Sequence, residues 1–221
     1  IGDLDGDGKP DIAGANGTGD SITILRNIIA TANATIGTGS FATPKKYAVT
    51  TQPKHIHMMD IDGDGKTDLV TSNVGSANVA VFRNTSTSGV ISFAAPVYFS
   101  TATNPHDFSI GDIDLDGKPD LVVPNNASTS ISVLQNTSVS GTVTFNAKVD
   151  FTCATTPRTV QISDINGDGK PDVVVACVGV DQVDIFKNIS SVGTINASSL
   201  AAYTNYSLVN NYNLRSAVAG D

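Results

Sequence analysis

Apolar residues fall in short clusters along this chain, too short for helices. Leu121-Val122-Val123 and Val173-Val174-Val175 are continuous runs. Such runs suit strands buried on both faces. Ser130-Ile131-Ser132-Val133-Leu134 and Ser21-Ile22-Thr23-Ile24-Leu25 alternate instead, with the period of two of a strand. A further strand is predicted over Phe145–Phe151, and a short one over Asp107–Ile110. Gly, Asn, Ser and Thr separate the clusters and mark turns. No apolar stretch is long enough to span a bilayer, so direct membrane insertion is not expected.

The pattern recurs. Asp3-Leu-Asp-Gly-Asp-Gly-Lys-Pro-Asp11 returns over 60–68, 112–120 and 164–172, with spacings of 57, 52 and 52 residues. Asn27, Asn84, Asn136 and Asn188 stand 24 residues after each first Asp. Gly89, Gly141 and Gly193 stand 29 after it in the last three copies. Phe93 and Phe145 stand 33 after it, and Phe41 comes five residues late, so insertions fall after the Asn. Four short strands in a repeat near 50 residues predict an all-β fold, a β-propeller of four-stranded antiparallel blades. A lone blade cannot bury both faces, so its neighbours must stack on it.

The expected repeats are 1–52 (lacking most of its first strand), 53–104, 105–156 and 157–212. Residues 213–221 would begin a next or closing blade, through a strand over Asn213–Ala219. Ile1-Gly2-Asp3 and Ala219-Gly220-Asp221 share one register, so the chain reads as four repeats of a seven-bladed propeller.

Composition sharpens this picture. All 21 acidic residues are Asp, and the net charge is −8. Asp favours turns, caps and metal loops over helix interiors. A nucleic-acid-binding surface is basic, so no nucleic-acid partner is expected.

Most of the acid lies in the repeated motif, whose carboxylates at positions 1, 3 and 5 converge in a tight loop. Position 7 adds a backbone carbonyl and position 9 another carboxylate. The metal-ligating candidates are Asp3, Asp5, Asp7, Lys9 and Asp11; Asp60, Asp62, Asp64, Lys66 and Asp68; Asp112, Asp114, Asp116, Lys118 and Asp120; and Asp164, Asn166, Asp168, Lys170 and Asp172. Oxygen-only donors on a flexible loop suit Ca²⁺. Gly8, Gly65, Gly117 and Gly169 at position 6 permit the sharp turn. Position 12 is Gly14, Thr71, Val123 or Val175, not the Glu of an EF-hand. Four structural Ca²⁺ sites are expected, and their charge would offset the formal −8. Asn166 removes one charge, so the fourth site is expected to be the weakest.

The motif Asp-x-Asp-x-Asp-Gly-x-x-Asp, between two strands of a four-stranded repeat, resembles the FG-GAP/VCBS repeat. That repeat builds the propeller of integrin α chains and of many bacterial surface proteins. The resemblance covers essentially the whole chain and is nearest to bacterial members, especially large secreted proteins of the Bacteroidetes type. It implies Ca²⁺ in the loop joining a blade's innermost strand to the next. The Phe-Gly and Gly-Ala-Pro signature of integrin copies is absent, and Leu115 replaces the common Gly at position 4.

Six residues before each motif stand Lys54, His106, Arg158 and Arg215, three of them after a proline. On successive blades they would ring the central channel opposite the calcium loops. They could receive an anionic ligand, or simply stack on neighbouring strands and pair with local carbonyls. Cys153 and Cys177 fall on that same end, where a disulfide or two buried thiols would both fit. His55 and His57 share a strand face without an evident third metal ligand, and are expected to pack.

The expected function is an extracellular calcium-stabilised module for adhesion or for binding a protein or glycan, non-catalytic and secreted or on the cell surface. The alternatives are the propeller domain of a secreted polysaccharide lyase or hydrolase, and a structural spacer of a large surface filament. An enzyme would need paired carboxylates outside the loops. Asp20, Asp107, Asp150, Asp181 and Asp184 form no recognisable pair in the sequence.

Overall fold

A computed structural model describes residues 1–31, 35–208 and 214–218. Its strands are β1 (Ile12–Asn16), β2 (Ser21–Leu25), β3 (Lys45–Ala48), β4 (Pro53–Met59), β5 (Asp68–Asn73), β6 (Asn78–Phe82), β7 (Val97–Ser100) and β8 (Ser109–Gly111). They continue with β9 (Asp120–Asn125), β10 (Ser130–Leu134), β11 (Val149–Thr152), β12 (Pro157–Ser163), β13 (Asp172–Cys177), β14 (Gln182–Phe186) and β15 (Thr204–Ser207). The only helical segment among the described residues is a 3₁₀ turn over Val74–Ser76.

Each sheet is an antiparallel meander of consecutive strands, β1-β2-β3, β4-β5-β6-β7, β8-β9-β10-β11 and β12-β13-β14-β15. The first sheet lacks a full inner strand, and a single bridge between Gly2 and Asp11 stands in its place. Neighbouring sheets stack at their inner ends, β4 on β1 and β12 on β8 and β9. This is the blade arrangement of a β-propeller.

The core lies between the sheets, which explains the continuous apolar runs. On β9, Leu121 and Val123 face the second sheet while Val122 faces the fourth. Burial on both sides removes the pressure for a polar face. Each motif's second residue shows that the following blade is required. Leu4, Ile61 and Ile113 are at most 2% exposed because the next sheet covers them. Ile165, on the last sheet, is 46% exposed.

The sequence landmarks pair in space. Asn27 bridges Phe41, Asn84 bridges Phe93 and Asn136 bridges Phe145. Leu200 takes the aromatic's place opposite Asn188. Phe145 is therefore occupied before the outer strand begins, and β11 is shorter than the predicted 145–151. Asn213 and 219–221, the ends of the predicted terminal strand and the start of a fifth motif, lie outside the described residues. Leu214–Val218 form no strand.

Candidate metal centres and the opposite mouth

Every motif loop links a blade's inner strand to its second strand. The chain reverses twice there, so positions 4 and 6 take positive φ. Gly8, Gly65, Gly117 and Gly169 at position 6 have φ of 83°, 84°, 89° and 82°. At position 4, Leu115 sits at φ 58° where the other copies have Gly. A β-carbon is disfavoured in that region. The Leu115 departure therefore bears on backbone strain rather than on ligation.

Three loops bring carboxylate oxygens within 4.8 Å of one another: Asp3, Asp5 and Asp11; Asp60, Asp62 and Asp68; Asp112, Asp114 and Asp120. These are positions 1, 3 and 9. Position 1 also folds the loop, since Asp3 accepts from Gly6 and Gly8, and Asp60 from Gly63 and Gly65. Position 9 is buried and accepts two backbone N–H groups, from the loop's second residue and from the landmark Asn. Burial pushes Asp68 up to about 6 and Asp120 up to about 7. Burial likewise raises Asp11 and Asp114, with the neighbouring loop carboxylates adding to it. Buried like charges at this spacing call for a cation. Asp114 Oδ1 is buried with no hydrogen-bond partner among the described residues, which leaves it free to coordinate. The donor set fits a hard divalent ion.

The remaining expected ligands lie differently. Position 5 faces its own loop and, in three of the four copies, a cation. Asp7, Asp64, Asp116 and Asp168 each accept from the backbone N–H two residues on. Burial works against ionisation of Asp7, but the Lys9 amide and ammonium and Arg26 hold it below the ordinary carboxylate value. Asp168 is held low chiefly by Lys187, 3.0 Å away. In the fourth loop Asn166 donates to Asp172 Oδ2 at 2.9 Å, so its amide engages the carboxylate that a metal would use. Beyond their backbone, Lys66 and Lys170 reach across to the carbonyls of Ser86 and Ser190.

Two features of these loops escaped the sequence reading. The residue before each landmark Asn reaches into its own loop. Arg26 holds Asp5 and Asp7, Arg83 lies 3.9 Å from Asp64, Gln135 donates to Asp114 at 2.6 Å, and Lys187 pairs with Asp168. A long donor at one fixed position in four copies was the available signal. The second feature joins blades. The amides of Asn84, Asn136 and Asn188 donate to the carbonyls of Leu4, Ile61 and Ile113, at position 2 of the preceding blade's loop, at 2.8, 2.9 and 2.7 Å. Gly141 N–H also donates to Asp62, and Gly193 N–H to the Asp114 carbonyl. Each of the first three loops thus closes against its successor.

The basic residues lie at the other end of the inner strands. Lys54 and Arg158 occupy bulges, between Pro53 and Ile56 and between Pro157 and Thr159. His106 follows Pro105, which bridges Asn125 across the same kind of offset. Bulges re-aim side chains at sheet ends. Lys54 is exposed, and His106 and Arg158 are half-buried. Burial lowers His106's affinity for a proton, and the charges of Arg158 and Lys54 lower it further. Three predicted members of the ring therefore share one field. Arg215 is exposed on a segment without a strand, whose Leu214 N–H donates to Asp181. It does not occupy the inner-strand position predicted for it.

His55 Nδ1 lies 3.0 Å from Asp107, and the His55 and His57 rings stack at 5.7 Å beside Phe108. They pack, as expected. Of the two arrangements expected for them, Cys153 and Cys177 take that of adjacent, buried, unbridged thiols. Contact with Cys153 and then burial push the Cys177 thiol's pKa up, and its Sγ donates to Asp184 at 3.4 Å.

No helix among the described residues is long and apolar enough to cross a membrane. The model of a family described as the FG-GAP-like repeat matches residues 3–71, 60–123 and 112–175. The chain matches no curated protein and no solved structure.

Proposed function

The chain belongs to the FG-GAP-like repeat family, and from that premise we propose that it is a calcium-stabilised, non-catalytic binding or adhesion module of a secreted or cell-surface protein. The carrying observation is the convergence of aspartates at positions 1, 3 and 9, the last two buried, in three successive loops. Bound Ca²⁺ would neutralise carboxylates whose ionised form burial disfavours. Positions 1, 3, 5 and 9, with the carbonyl at position 7, would hold it. The loops dock on their neighbours, so the ion would stiffen the stacking of blades.

A binding role is supported by the remaining carboxylates, which carry structural partners. Asp20 accepts from Gln52 N–H, Asp107 pairs with His55 and Asp150 accepts from Ser132. Asp181 and Asp184 accept from Leu214 and Ala154. The extracellular partner, protein or glycan, would meet the end away from the metal loops. Calcium titration should show at least three bound ions, and chelation should lower the melting temperature sharply. A melting temperature unchanged in chelator would sink the calcium reading.

A further inference from the structure

We infer that Lys54, His106 and Arg158 form a binding site for an acidic sugar, whose carboxylate or sulfate they bind at the mouth opposite the metal loops. This rests on the binding role proposed above and names its ligand class.

The first observation is the pairing of the basic side chains. Arg26 and Arg83 are engaged by motif aspartates, and Lys66 and Lys170 by carbonyls. Among the described residues, no hydrogen bond or ion pair engages the side chains of Lys54, His106 or Arg158. Arg158 is half-buried, with a guanidinium of five donors and no acceptor. A cation taken partly out of water without a partner is unfavourable in the free protein, and an anion relieves that cost.

The second observation is their placement. All three sit at equivalent kinked positions, Lys54 on β4, Arg158 on β12 and His106 just ahead of β8. His106 feels the charges of both Lys54 and Arg158. The other charged or titratable groups facing His106 are Asp107 and His55, which pair with each other. The acid nearest the cations is therefore already committed.

The third observation selects a sugar over a protein. The loops leading into the three bulges carry Thr50, Thr51 and Gln52; Thr103 and Asn104; and Thr155 and Thr156. None exposes a large apolar side chain. A protein interface is anchored by buried aromatic or aliphatic groups. A rim of hydroxyls and amides around a cationic centre matches a hydroxylated anion instead.

An anion at the mouth would favour protonated His106. Binding should then take up a proton and tighten as pH falls through the histidine range. The test is calorimetric titration of the calcium-loaded full chain with a uronate trisaccharide and, separately, a sulfated oligosaccharide. The controls are a neutral oligosaccharide and an acidic peptide of equal charge. At least one acidic sugar should bind, and Arg158→Ala should weaken it by about tenfold to a hundredfold. Lys46→Ala, on the exposed side of β3, should leave it unchanged. Wild-type binding should tighten between pH 8 and pH 5.5, and His106→Asn should remove that dependence while its melting temperature stays near the wild type's. Binding that ignores Arg158→Ala, or equal binding of the acidic peptide, overturns the site. Failure of the calcium reading shows separately, as a melting temperature unmoved by chelator.

Discussion

Replacing Asn136 with alanine isolates the contact between blades. Asn136 is fully buried. Its amide donates to Ile61 O at 2.9 Å and Pro119 O at 3.0 Å, and its carbonyl accepts from Ser138 N at 2.8 Å. Asn27 is its counterpart in the first blade. It donates to Pro10 O at 3.1 Å and accepts from Ile29 N at 3.0 Å, and among the described residues it reaches no other blade's loop. A buried group stripped of its partner costs about 1–3 kcal/mol. Asn136→Ala should therefore cost about 3–5 kcal/mol, and Asn27→Ala about 1–2 kcal/mol less. The difference is the bond to Ile61. Urea unfolding of both variants at saturating calcium measures it, provided the m-values agree. Ile61 lies between the ligand candidates Asp60 and Asp62, so Asn136→Ala should also weaken calcium binding at the preceding blade's loop. Equal midpoint losses in the two variants would refute an inter-blade role.

The other predictions concern the loops. Leu115→Gly should stabilise the protein by about 0.5–1 kcal/mol, because it relieves φ 58° but adds freedom to the unfolded chain; a loss on thermal unfolding would contradict the strain argument. Asn166→Asp should raise calcium affinity at the fourth loop, since it removes the donor now held by Asp172 and adds a charge; an unchanged titration counts against that loop as a site. In chelator, stability should fall as pH rises from 4 to 7. Asp68 and Asp120 are raised to about 6 and about 7 from an ordinary 3.8, so the folded state keeps protons that the unfolded state has lost. That contribution is whole below pH 4 and is lost through the raised values, and calcium should reverse the trend. A metal-free protein melting higher at pH 7.5 than at pH 5 would refute it.

Much of the fold was legible because each strand is repeated. Ser21–Leu25 and Ser130–Leu134 match β2 and β10 residue for residue. Local pattern carried them, since each is bounded by its own turn residues. The metal loops were legible for the same reason, with ligands confined to nine consecutive positions. The structure departs where a residue's role depends on a distant partner. Position 5 looks like any other loop Asp until Arg26 or Lys187, about twenty residues on, draws it aside. The landmark Asn showed its spacing but not its purpose, because its acceptor lies 75 to 80 residues back. Arg215 satisfied the count from the next motif, yet a count cannot supply the inner strand that would carry it.

The bond from each Asn to the preceding loop also imposes an order in time. A chain that is synthesised or exported from its amino end delivers the Asp3–Asp11 loop before the other three. Its cap, Asn84, stands 80 residues after Leu4. Until Asn84 follows, the Leu4 carbonyl is open to water and the loop can bind metal only in an unbraced form. Each new blade thus finishes the one before it. Assembly runs in one direction, and the newest metal loop is always the least secured.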